Sequence, residues 1–215
     1  MPLLRLHLLR HGQTESSREN LFCGRRLDPA LTEEGLAMAA SFAAAYRARR
    51  WAGLYSSPLR RAVTTAQPLA DAVGMPVQTR DGFAEIDYGS WDGLSAPEVA
   101  ARFPIQCARW TADPAWNPPT GGETAVALAQ RVTRELESIE RTHHDGGDVL
   151  IVAHKATIRV AICALLGVDV GRFRYRFDCP VGSVTIIEFR EHGPFAFAIA
   201  DRSHLDARQR ALEGT

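Results

Sequence analysis

Hydrophobic positions along the chain fall into short apolar runs that alternate with longer segments repeating every three or four residues, a pattern that predicts strands alternating with helices. Leu3 to Leu9 is almost continuously apolar and is followed by a polar stretch containing glycine, so it reads as a buried central strand. Thr32 stands as a cap before Glu33 and Glu34, whose charges suit the positive end of a helix, and an Ala-rich run continues that helix to about Arg49. Gly53 to Ser56 reads as a second strand, and Pro58 opens a helix through about Ala72. Ser95 and Glu98 have the spacing of a capping box at the head of a short helix. Leu128, Val132, Leu136 and Ile139 recur at helical spacing, which predicts an amphipathic helix from Thr124 to about Arg141, ended by Asp145-Gly146-Gly147-Asp148. Val149 to Ala153 is a further buried strand, leading through His154 into a helix that ends at Leu166 with Gly167 as its C-cap. Ser183 to Phe189 and Phe195 to Ala200 predict a final hairpin.

Two segments break the rhythm. Pro104 to Gly122 holds four prolines and two tryptophans with neither period, which predicts an irregular excursion over the sheet edge and the place where substrate specificity resides. Asp206 to Thr215 is expected as a loosely attached tail. The remaining alternation predicts one domain over residues 1–215, a three-layer α/β sandwich whose mostly parallel central sheet is flanked by helices. Sheets of this kind bind ligands beyond the carboxyl ends of their strands.

Composition narrows the functional classes. With 215 residues, 46% of them hydrophobic, the chain can bury a large core without disulfides. Cys23, Cys107, Cys163 and Cys179 are scattered without a C-x-x-C pair, as expected of free thiols in a reducing compartment. The apolar start is interrupted by Arg5 and His7, lacks a small-residue cleavage site, and no apolar run reaches the roughly 20 residues of a membrane helix. A cytoplasmic protein with no membrane partner is expected. The 25 basic and 25 acidic side chains cancel, which argues against a nucleic-acid-binding surface. The expected partner is a small molecule, and the expected assembly a monomer or homodimer.

Candidate chemistry gathers at the predicted strand ends. Arg10-His11-Gly12 lies where the first strand gives way to a loop, and His154 ends the Val149 to Ala153 strand, so two histidines are expected on one sheet edge. Arg61, beside Arg60, stands near the start of the helix after the second strand. Glu85 opens a compact run to Gly93 in which Asp87 and Asp92 are rival carboxylates. A metal centre is disfavoured. His7 and His11 are about 13 Å apart on a strand, too far for one ion to bridge. His143 and His144 have no carboxylate at a ligand spacing, and no H-E-x-x-H or Walker-type run occurs. Neither a metal nor a cofactor is expected.

Leu8-Leu9-Arg10-His11-Gly12-Gln13-Thr14, Leu31-Thr32-Glu33-Glu34-Gly35, Ser56 to Ala66, Glu85 to Gly93, Gly121-Gly122-Glu123-Thr124 and Val152-Ala153-His154 follow one another in an order and spacing that resembles the histidine phosphatase superfamily. That group includes cofactor-dependent phosphoglycerate mutases and many small phosphatases, and the resemblance runs from Leu8 to about Phe189. It implies a phosphoglycerate-mutase-like fold and a phosphatase that hydrolyses phosphate monoesters of small metabolites through a phosphohistidine. It further implies that His11 is the nucleophile, that Arg10 and Arg61 bind the phosphoryl oxygens, that His154 completes the pocket and that Glu85 is acid and base. The chemistry agrees, because phosphoryl transfer needs an in-line nucleophile and positive groups on the equatorial oxygens.

Two positions depart from the family pattern. Lys155 follows the second histidine where relatives usually carry glycine, and a cation at a helix N-terminus is relieved by a nearby anion, so Lys155 is expected to meet the phosphate or a second negative group of the substrate. Ser17 stands where many relatives use asparagine to hold phosphate, and is a candidate for the same task. Trp91, Trp110 and Trp116 either cover the substrate or pack, with packing the safer reading for any one of them, and Glu123 stands at a motif position whose cap-like place before the helix from Thr124 gives an equally good structural role. A mutase would return the phosphoryl group to a second hydroxyl. Relatives with that activity generally have longer insertions between the acid motif and the second histidine, and the short interval here favours hydrolysis. An inactive phosphate-binding module is the alternative of another class, disfavoured by the intact set of Arg10, His11, Arg61, Glu85 and His154.

Overall fold

A computed structural model describes residues 3–212 and Gly214. Six strands, β1 (Leu4–Arg10), β2 (Trp51–Ser56), β3 (Gln78–Thr79), β4 (Gly147–Ala153), β5 (Val184–Arg190) and β6 (Gly193–Asp201), form one sheet in the order β3-β2-β4-β1-β5-β6. The pairs β1–β4, β2–β4 and β2–β3 are parallel, whereas β5 runs antiparallel to both β1 and β6. Between them lie α1 (Glu15–Arg18), α2 (Glu33–Tyr46), α3 (Arg60–Val73), α4 (Ala96–Arg102), α5 (Pro104–Ala112), α6 (Ala125–Thr142), α7 (Lys155–Leu166), α8 (Phe173–Arg176) and, after β6, α9 (Ala207–Ala211).

The pleat of the central strands explains the three layers. Val149, Ile151 and Ala153 of β4 face one way, into a core shared with Leu128, Val132, Leu136 and Ile139 of α6 and with Ile158 and Ile162 of α7. Leu150 and Val152 face the other way, onto Phe42 and Ala43 of α2 and Ala66 and Leu69 of α3. Covering both faces with helices is what makes these strands apolar throughout. Among the described residues no helix is long and apolar enough to cross a membrane.

Most boundaries fall within a few residues of expectation, and the exceptions have identifiable causes. Thr32 caps α2 by accepting from Gly35 N, but the helix stops at Tyr46. Pro58 does not open α3, because Leu59 is the extended cap residue and the helix starts at Arg60. The irregular excursion expected over residues 104–122 contains α5. Its first helical position is Pro104 and its only buried residue is Trp110, so too few apolar positions repeat to reveal a period. The two-residue edge strand β3 carries no pattern at all. The tail is more firmly held than expected from Asp206 to Leu212. Asp206 and Gln209 form a capping box around α9, and Gln209 is buried; Glu213 and Thr215 lie outside the described residues.

Candidate active site

Register brings the two histidines together. Arg10 at the end of β1 pairs with Ala153 at the end of β4, so His11 and His154, one residue further on each strand, sit side by side with ring centroids 5.1 Å apart. The backbone of the His11 loop is bound on every side: His11 N donates to Ala153 O at 3.0 Å, and Gly12 N donates to Thr65 Oγ1 at 3.1 Å. Thr65 donates in turn to Arg61 O at 2.7 Å, tying the loop to α3. Two motif glycines meet here. A Cβ on Gly12 would fall 2.4 Å from Gly35 O, and one on Gly35 would fall 2.1 Å from Gln13 O, so any side chain at either position would force the loop away from α2.

His11 is buried, and its Nδ1 lies 2.8 Å from Gly12 O. Since a carbonyl only accepts, Nδ1 carries the proton and Nε2 keeps its lone pair for the cavity that His11 lines. Burial first, then the neighbouring Arg61 and Arg10, hold its pKa well below the ordinary histidine value. Arg10 donates from Nη1 to Cys179 O at 2.7 Å. Arg61 is pinned by four groups: Nη1 donates to Leu27 O at 2.6 Å and pairs with Asp28 at 3.3 Å, Nη2 donates to Gly24 O at 3.2 Å, and Nε to His154 Nδ1 at 3.2 Å. Both arginines are buried and line the cavity, whereas Arg60 is exposed and contacts Asp28.

His154 differs from expectation. With Nδ1 accepting from Arg61, Nε2 carries the proton and donates to Ser57 Oγ at 2.7 Å, so both ring nitrogens are engaged. It is fully buried and is not among the residues lining the cavity. The ring backs Arg61 and packs against His11.

Glu85 reaches the cavity from a loop and meets the N-terminus of α7. Its Oε1 accepts from Ile86 N at 2.9 Å and Thr157 N at 3.2 Å, its Oε2 accepts from Ala156 N at 3.2 Å, and the Thr157 hydroxyl, with one proton to give, lies 2.9 Å from Ala84 O and 3.0 Å from Oε1. The cap residue of α7, His154, makes no side-chain cap bond, so the carboxyl oxygens of Glu85 take that place and accept from the first free N–H groups of the helix. The rival acids have other work: Asp87 pairs with Arg26 at 2.9 Å, and Asp92 accepts from Gly24 N at 2.7 Å. Arg131 of α6 holds the Glu85 segment. It donates to the carbonyls of Gly82, Ala84 and Glu85 at 2.7, 2.8 and 3.1 Å and pairs in bidentate fashion with Glu123 at 2.8 and 2.9 Å. Glu123 therefore anchors this clamp, a role its cap-like position did not reveal.

Ser17 lines the cavity, but its hydroxyl proton goes to Thr14 O and its oxygen accepts from Thr14 N, both at 2.9 Å, within the capping box of α1. The proton needed to hold phosphate is thus committed to the backbone. Lys155 does face the cavity, with its pKa lowered to about 7, first by burial and then by Arg10 and Arg159. Of residues 104–122, Trp110 lines the cavity. The wall also includes Tyr88 of the Glu85 to Gly93 run, and Phe22, Phe173, Arg159 and Arg174, which the sequence did not mark. The cavity holds about 250 Å³. Among the described residues, no three His, Cys, Asp or Glu side chains cluster where one metal ion would be bound.

A sequence model described as the histidine phosphatase superfamily (branch 1) matches residues 6–202. Phosphoserine phosphatase 1 of Hydrogenobacter thermophilus is 33% identical over 189 residues, covering 88% of each chain. A bifunctional protein of Mycobacterium tuberculosis is 36% identical over 201 residues, 93% of this chain, which spans only 54% of that protein. The solved structure of a mycobacterial glucosyl-3-phosphoglycerate phosphatase with VO3 superposes with a TM-score of 0.85 at 27% identity, covering 93% of this chain and all of that one.

Proposed function

Because the chain belongs to the histidine phosphatase superfamily, we propose that it hydrolyses phosphate monoesters of small metabolites by way of a phosphohistidine on His11. The observation that carries this reading is the Nδ1 contact of His11 with Gly12 O, which leaves Nε2 unprotonated in a cavity that Arg10 and Arg61 also line. In the first half-reaction, which begins with the proton on Glu85, Nε2 bonds to phosphorus as the bond to the ester oxygen breaks, and Glu85 passes its proton to that oxygen. In the second, a water oxygen bonds to phosphorus, the P–N bond breaks, and Glu85 takes the proton from the water. Oε2 of Glu85 accepts from one N–H group against two on Oε1, so it is the oxygen with room for the travelling proton. Arg10 and Arg61 offset the charge on the equatorial oxygens, and His154 positions Arg61.

Relatives named for phosphoserine and glucosyl-3-phosphoglycerate support a small phosphorylated metabolite as substrate. The family match from 6 to 202, together with one continuous sheet, supports a single domain over 1–215. The four cysteines are free thiols, which supports a cytoplasmic enzyme. We read it as a monomer or homodimer with neither nucleic acid nor membrane as partner. Phosphate release from p-nitrophenyl phosphate tests the reaction. Release is expected to persist in EDTA and to fall by at least about a thousandfold in His11→Ala, the scale of losing a covalent nucleophile. Loss of activity in EDTA, or full activity in His11→Ala, would overturn the proposal.

A further inference from the structure

Five basic side chains, Arg10, Arg61, Lys155, Arg159 and Arg174, line the cavity with one carboxyl group, Glu85, among the described residues. A phosphate monoester brings about two negative charges. Arg10 and Arg61, pinned by backbone carbonyls beside His11, are placed to meet them. The other three cations come from α7 and α8. Lys155 and Arg159 are four residues apart on α7, so they share a helix face, and the rise between them carries positive charge about 6 Å along the wall. Helix α8 packs against α7 and adds Arg174, whose guanidinium carbon lies 3.8 Å from the centre of the Trp110 ring.

The protein itself does little to satisfy these groups. Lys155 makes no hydrogen bond or ion pair among the described residues. Arg174 is held by the stack on Trp110, with Tyr175 further away, and makes no hydrogen bond among those residues either. Among the described residues Arg159 reaches only Asp178, at 3.3 Å, whose side chain is 74% exposed, and its buried Nε has no partner there. Like charges crowded onto one wall repel one another, and a ligand anion would relieve that repulsion and use the free donors. Trp110, Tyr88 and Phe22 provide an apolar surface beside them.

We propose that Lys155, Arg159 and Arg174 form a second anion subsite, so that the substrate is a small phosphate monoester bearing a carboxylate or second phosphoryl group a few bonds from the first. The assignment rests on the phosphatase reading only in taking the first phosphoryl group to lie at His11.

Equilibrium binding to the His11→Ala protein tests the subsite without turnover. The ligands are 3-phosphoglycerate, glycerol 3-phosphate, which has a hydroxymethyl group in place of the carboxylate, and 1,3-propanediol bisphosphate. One charge-assisted contact corresponds to about tenfold in affinity or more. The acid or the bisphosphate is therefore expected to bind at least about tenfold more tightly than glycerol 3-phosphate, and the tighter of the two identifies the anionic group. In His11→Ala/Arg174→Gln and His11→Ala/Arg159→Gln the preference is expected to shrink to about threefold or less, with Arg174→Lys retaining part of it. Glycerol 3-phosphate binding in the same variants separates a changed preference from a failure to fold. Equal affinity for all three ligands, or a preference that survives both substitutions, would overturn the subsite. If wild-type protein releases no phosphate from any ester while the preference holds, the reaction assignment fails and the subsite stands. Phosphate release without any preference gives the reverse result.

Discussion

As the proposed nucleophile, His11 can attack phosphorus only while its ring is neutral and the lone pair lies on Nε2. The Gly12 carbonyl fixes the tautomer, and burial with two adjacent guanidinium groups opposes protonation. The pKa is lowered, so the ring should stay neutral as pH falls through 6.5 and take up its proton well below that value. Ring nitrogen spectra across pH 4–8 check this: the Nδ1–H form is expected throughout the range above 6.5, and a titration midpoint near 6.5 would contradict it. At this scale Arg10, His11, Arg61 and Glu85 were legible, because each sits in a short motif at the end of an element. Arg159 and Arg174 were not. A lone arginine on a helix reads as a solvated charge, and only the packing of α8 on α7 turns both toward the cavity. His154 was legible in place but not in role, since its hydrogen bonds to Arg61 and Ser57 are long-range.

Among the elements, the junction of α7 with the Glu85 loop determines how the acid is held. Two N–H groups of α7 bind Glu85 from one side, and Arg131 of α6 binds three carbonyls of the same loop from the other. Replacing Arg131 by Met leaves Glu123 unpaired in a partly buried place and three carbonyls short of a donor, with a stability cost on the order of 3 kcal/mol. As a positioning residue Arg131 should also affect chemistry beyond stability. At a temperature where the variant remains folded, kcat is expected to fall about tenfold with KM nearly unchanged, since ground-state contacts to phosphate are intact. Steady-state kinetics alongside a thermal melt distinguish the outcomes, and an unchanged kcat in a destabilised protein would reduce the clamp to a structural tie. The sequence displayed α6 and α7 through their apolar stripes and caps, whereas α5 and β3 escaped notice. With one buried residue in nine, α5 owes its helix to Pro104 and its orientation to Trp110, and neither contributes a period.

For the whole molecule, parallel pairing of β1 with β4 is what converts two motifs some 140 positions apart in the chain into one site. The strand–helix alternation made that arrangement foreseeable, as the carboxyl ends of parallel strands share an edge. The antiparallel β5 extends the sheet on the other side of β1, and Ser183 just before it offers its carbonyl to Arg10 N. Sheet, helices α3, α6 and α7, and the loops they anchor thus converge on one claim, that a covalent bond forms between His11 and phosphorus. A rapid alkaline quench of enzyme mixed with excess p-nitrophenyl phosphate, followed by peptide mass spectrometry, measures it directly. One added phosphoryl group on the peptide containing His11, labile to acid and absent from His11→Ala, is the predicted result. Phosphate release with no adduct on His11, or an adduct on another residue, would contradict the account.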